Sequence, residues 1–144
     1  MSVDVDVEFQ ERYWYPDDGG EVWVAGFQLV DAEGRFLARD ALPAGLKVTH
    51  VAGAFHRPDA LTSDLAAPGS VLVLRAEPDN PHDPSAIAVD LSDGSPVGYV
   101  PREYTHDVVG WSALVLRERR RSPRDPREGL TMLLSREPVE LHVR

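Results

Sequence analysis

The sequence contains no cysteine, which rules out disulfides, thiol catalysis and thiolate zinc sites. No run of 18 apolar residues occurs, so no membrane-spanning helix is expected. The first residues, Met1-Ser2-Val3-Asp4-Val5-Asp6, are acidic and lack the apolar stretch of a secretory signal. A cytoplasmic location is therefore the default expectation. Loops that cradle phosphate, G-x-x-x-x-G-K-[ST] and G-x-G-x-x-G, are absent, as is the G-x-S-x-G elbow of serine hydrolases. His50, His56, His82 and His106 show neither H-x-E nor H-E-x-x-H spacing. No metal site, no cofactor and no enzyme activity is expected on those grounds. Glu77, Asp79 and Asp83 cluster as paired carboxylates of a hydrolase would, but turn chemistry accounts for them more simply.

What remains is an ordinary composition. The 144 residues are 42% apolar and 27% charged, enough for one domain with a true core. Net charge is −9, and its distribution is uneven. Residues 1–101 hold 6 Lys+Arg against 17 Asp+Glu, whereas residues 102–144 hold 9 against 7. Arg117, Arg119, Arg120, Arg121, Arg124 and Arg127 fall within eleven residues. A protein that coats DNA needs a broad basic face, because phosphate contacts supply most non-specific affinity. This chain lacks one, so any nucleic-acid contact is expected at a confined pocket.

Short strands separated by turns dominate the pattern. Val3, Val5, Val7 and Phe9 alternate with acidic residues, as in a half-buried strand. Further strands are expected over 22–30, 35–39, 47–55, 71–76, 86–91, 96–100, 111–116, 130–134 and 139–143. Asp31-Ala32-Glu33-Gly34 and Ser92-Asp93-Gly94-Ser95 read as hairpin turns. Brief helices are expected over 58–65 and 101–110, each with proline near its start. The stretch 117–128, rich in arginine and proline, reads as a solvated loop. Tyr13, Trp14, Tyr15, Trp23 and Phe27 read as core packing rather than as an interface. The sum is a mostly β chain: a small barrel over 46–144 with one or two short helices, and N-terminal strands over 1–45 packing on it.

Residues 77–89, Glu-Pro-Asp-Asn-Pro-His-Asp-Pro-Ser-Ala-Ile-Ala-Val, stand out. Each of the prolines Pro81 and Pro84 biases the residue before it towards extended backbone, so the loop is stiff and then re-enters a sheet. Such a loop either fixes side chains for recognition or is simply a turn whose Asn and Asp bond their own backbone. With Val51-Ala52-Gly53 upstream and Gly98-Tyr99-Val100-Pro101 downstream, this segment resembles the HIRAN domain, as found alone in bacteria. The resemblance covers about residues 47–110. It implies an OB-like barrel that grips the 3′ end of single-stranded DNA, in a repair setting.

Carried over position by position, the resemblance implies a nucleic-acid pocket of Phe55, His56, Asn80, His82, Asp83, Tyr99 and Arg102. Asp83 would accept a hydrogen bond from the terminal hydroxyl, or cap its own turn. Asn80 would touch nucleotide, or only hold the loop. Phe55-His56 stands where helicase-linked members have Arg-Tyr, and His82 where they have Tyr. Each is a planar ring on which a base can stack. Tyr99 and Arg102 would flank a helix start that favours phosphate. Two classes of function follow: a module binding single-stranded DNA ends, or a protein-binding scaffold that keeps the barrel alone. The acidic first hundred residues favour the second. The first expects Phe55, His56, His82, Asp83 and Arg102 to converge on one exposed concavity.

Overall fold

The computed structural model describes residues 2–15 and 20–144. Among the described residues nine strands alternate with short turns: β1 (Val3–Trp14), β2 (Val22–Leu29), β3 (Leu46–His50), β4 (Val71–Ala76), β5 (Ile87–Leu91), β6 (Pro96–Tyr99), β7 (Ser112–Arg120), β8 (Arg127–Ser135) and β9 (Val139–Val143). The mostly β architecture is the one expected. No helix among the described residues is long and apolar enough to cross a membrane.

Six strands close a barrel. β6, β5, β4 and β7 pair in that order, β7 continues to β8, and β8 to β3. The circuit is completed where the chain beyond β3 meets β6: Ala52 N–H donates to Tyr99 O at 2.8 Å, and Tyr99 N–H to Ala52 O at 2.9 Å. Gly98 makes that closure possible. A Cβ there would sit 2.4 Å from Ala52 O and 2.6 Å from Val51 Cγ1.

Alternation along the strands fills the barrel. Val89 and Leu91 of β5, Val115 of β7 and Met132 and Leu134 of β8 are fully buried in one cluster, which Leu61 and Val108 plug. Leu114, Leu116 and Leu133, on the opposite face of β7 and β8, belong to a second cluster with Val5, Val7 and Leu29. β1, β2 and β9 thus form an outer layer over the barrel wall, with β9 running parallel to β1. Burial on both faces explains why β7 and β8 read as near-continuous apolar runs.

Several expected elements differ in extent. The strand expected over 35–39 reduces to a single bridge, Val30 to Phe36, because the Asp31 carboxylate accepts from the N–H groups of Glu33 and Arg35 and folds the loop on itself. β3 stops at His50 rather than 55: Gly53, at φ +75°, turns the chain into a 3-10 turn, Ala54–His56. The helix expected over 58–65 is the single turn α1 (Pro58–Leu61), ended as the Thr62 hydroxyl donates to Asp59 O. The one expected over 101–110 is only a 3-10 turn, Arg102–Tyr104, where the Thr105 hydroxyl likewise takes Arg102 O.

The solvated loop expected over 117–128 is a correction of another kind. β7 runs to Arg120 and β8 begins at Arg127. Arg117 donates to Phe27 O at 2.9 Å, Arg127 donates to Leu61 O and Ser63 O, and Glu118, 5% exposed, ion-pairs with Arg120 and Arg127. Pairing and carbonyl contacts let these charges enter a sheet. The expected aromatic core is also overturned in part: Tyr13, Trp14 and Tyr15 are exposed. Among the described residues β9 pairs with β1 only over Val3–Val7, so the tip end of β1 is an edge and Tyr13 and Trp14 stay exposed there.

Candidate nucleic-acid interface

The loop between β4 and β5 is organised from its own polar groups. Glu77 N–H donates to Ala86 O at 3.0 Å and closes the neck. The Asn80 side chain then bonds locally: Nδ2 donates to Glu77 Oε1 (3.0 Å), and Oδ1 accepts from the N–H groups of His82 (2.9 Å) and Asp83 (3.1 Å). Asn80 therefore holds the loop, one of the two roles open to it from sequence. Asp83 Oδ1 accepts from Ser85 N–H at 2.9 Å, an Asx turn. Its Oδ2 lies 3.6 Å from Arg102 Nε, and that side chain is 80% exposed. So exposed a pair is held weakly, and Oδ2 keeps lone pairs for another donor.

Tyr99 joins this loop from β6. Arg75, Ala88 and Tyr99 are successive partners across β4, β5 and β6. The small Ala88 side chain lets the two outer residues reach the same carboxylate. Tyr99 donates its hydroxyl to Glu77 Oε1 at 2.8 Å, and Arg75 donates to Glu77 Oε2 at 3.0 Å. The amide of Asn80, the Tyr99 hydroxyl and Arg75 hold the Glu77 carboxyl below its ordinary value; the same bond raises the Tyr99 hydroxyl above its own. Arg75 is further fixed by Asp90, at 2.9 Å. Sequence reasoning passed over Glu77 and Arg75 as site residues. Their signal is the two-residue spacing at the end of β4, which puts both on one face.

Between these groups opens a concavity of about 590 Å³, lined by Arg75, Glu77, Asn80, His82 and Tyr99. His82 is exposed at the loop tip and Tyr99 is partly exposed. Phe55 and His56 stand on the other side of the Ala52–Tyr99 bridge. Their ring centroids are 3.8 Å apart, and Phe55 is 68% exposed. The expected set thus divides. Asn80, His82 and Tyr99 share one concavity; Asp83 and Arg102 pair with each other; Phe55 lines a second concavity. The helix start expected to favour phosphate at Arg102 is a three-residue 3-10 turn, too short to build a helix dipole. Among the described residues one trio of possible metal ligands lies together, Asp4, Glu140 and His142, all exposed and outside the histidines singled out from sequence.

Residues 45–114 match the family model of the HIRAN domain, a family of nucleic-acid-binding modules. That segment contains every residue of the interface just described. Neither the curated proteins nor the solved structures yield a match.

Proposed function

We propose that the chain binds the 3′ end of single-stranded DNA in a repair setting, a reading supported by the match of residues 45–114 to the HIRAN domain, a family of nucleic-acid-binding modules. The observation that carries this reading is the stiff loop that sets His82 and Tyr99 around an open concavity, with Asp83 Oδ2, held only by the exposed Arg102, next along the chain. The terminal base stacks on the exposed rings, and stacking is worth about 1–3 kcal/mol per base whatever its identity. The terminal hydroxyl donates to Asp83 Oδ2 in place of Arg102, which is released to a phosphate. Phe55 and His56 receive the next base across the bridge. Asn80 is a positioning residue, since its side-chain oxygen and one amide N–H are engaged within the loop.

The test is binding of fluorescent oligonucleotides with free or blocked 3′ ends. Blocking is expected to weaken binding about tenfold, the loss of one charge-assisted hydrogen bond, and Asp83→Ala to abolish the difference. Equal binding of both oligonucleotides by the unaltered protein would sink the end-binding reading. The second reading, a protein-binding scaffold, draws on the net charge of −9; it expects no binding to either oligonucleotide.

A further inference from the structure

Seven arginines are paired with carboxylates. Four others, Arg12, Arg39, Arg117 and Arg119, gather on one surface with no carboxylate partner among the described residues. In a chain with 24 Asp+Glu against 15 Lys+Arg, cations gathered without a carboxylate among the described residues call for an explanation.

Strand register places them. Arg12 on β1 and Arg119 on β7 both face Val24 on β2, so Arg12, Val24, Arg119 and Gly129 form one row across four strands. A spacing of about 4.8 Å between strands puts the two arginine Cα atoms about 10 Å apart. Both side chains are exposed. Gly129 keeps the row low, because a Cβ there would press on the Arg119 guanidinium at 3.0 Å. Trp14, two residues beyond Arg12 and so on its face of β1, is 50% exposed.

Arg117, two residues before Arg119, is anchored by two neutral acceptors, Phe27 O at 2.9 Å and Gln28 Oε1 at 3.3 Å. Burial, with Arg39 and Arg12 nearby, pushes it down to about 10. That is the behaviour of a cation whose surroundings lack an anion. At the other end of the row, Arg119 lines a concavity of about 320 Å³ together with Phe55, His50 and Thr131. Glu128 shares that concavity, but its carboxylate lies 3.7 Å from Arg121.

We propose that Phe55, Arg119, Arg12 and Trp14 form a track for the sugar-phosphate backbone of a single strand, leading from the end pocket across β7, β2 and β1. The track rests on the end-binding reading for its starting point. Phosphates lie on Arg119 and Arg12, and bases lie against Phe55 and Trp14. The alternation of cation and ring is the chemistry that holds single strands without regard to sequence. Arg119, Arg12 and Trp14 lie outside the segment that matches the family, and Arg12 and Trp14 stand on β1, a strand that the barrel does not need for closure.

The experiment is a length series of oligo-dT with free 3′ ends, from the dinucleotide to the octanucleotide, on the full chain. The unaltered protein is expected to bind the octanucleotide at least tenfold more tightly than the dinucleotide. Its salt slope should steepen by about 1.4 for two further phosphates. Arg12→Gln with Arg119→Gln removes both gains and leaves the melting curve unchanged. The track is overturned if affinity does not rise with length, or if the double variant keeps the rise. Equal binding of free and 3′-blocked octanucleotides, with the rise still lost in the double variant, supports the arginine contacts and overturns the end pocket instead.

Discussion

Glu77 accepts hydrogen bonds from three places at once: the loop amide of Asn80, the β6 hydroxyl of Tyr99 and the β4 guanidinium of Arg75. Its lowered carboxyl ties loop, strand and site together in the charged state. A group with a lowered folded value stabilises above the unfolded carboxylate range and loses that contribution as pH falls through it. Glu77→Gln is therefore expected to lower the melting temperature by a few degrees at pH 7. The gap should close as pH drops below about 4; a gap that persists at pH 3 would assign the effect to packing. At this scale the sequence is legible where a residue acts through its own backbone. Asn80 and Asp83 cap their own turn, a contact within three residues. Glu77 was opaque because its partner Tyr99 lies 22 residues away.

At the scale of elements, the glycine of Gly98-Tyr99-Val100-Pro101 has a geometric cause. Val51 and Ala52 run so close to β6 that only a hydrogen fits. Gly98→Ala places a methyl against a backbone carbonyl oxygen, which cannot swing aside as a side chain would. The expected loss is about 3 kcal/mol, the upper end for overpacking, read as a lower urea midpoint. A change under about 0.5 kcal/mol would mean that the bridge is not where the barrel closes. Strands β4 and β9 are legible to the residue, because alternation and turn residues bound them locally. The arginine-rich ends of β7 and β8 were not. Their charges enter the sheet through Glu118, Leu61 O and Ser63 O, partners that no window of sequence brings together.

At the scale of the whole molecule, fold and family were legible and the shape of the site only partly so. Three motifs in order specify the barrel, whereas the division of the site between two concavities depends on where Ala52 and Tyr99 meet. The exposed end of β1 was hidden for a similar reason: exposure of Tyr13 and Trp14 depends on how far β9 extends beside β1. The barrel circuit is closed at that meeting by a single two-bond bridge, whereas β4 and β5 are joined over five residue pairs. The seam is therefore the place where the circuit opens first, and the amide hydrogens of Ala52 and Tyr99 are expected to exchange with solvent faster than those of β5. A strand bound across Tyr99 and Phe55 would stitch the seam from outside. Hydrogen–deuterium exchange at these two amides should slow on addition of oligonucleotide while β5 is unchanged, so that the weakest joint in the barrel also reports whether the site is occupied.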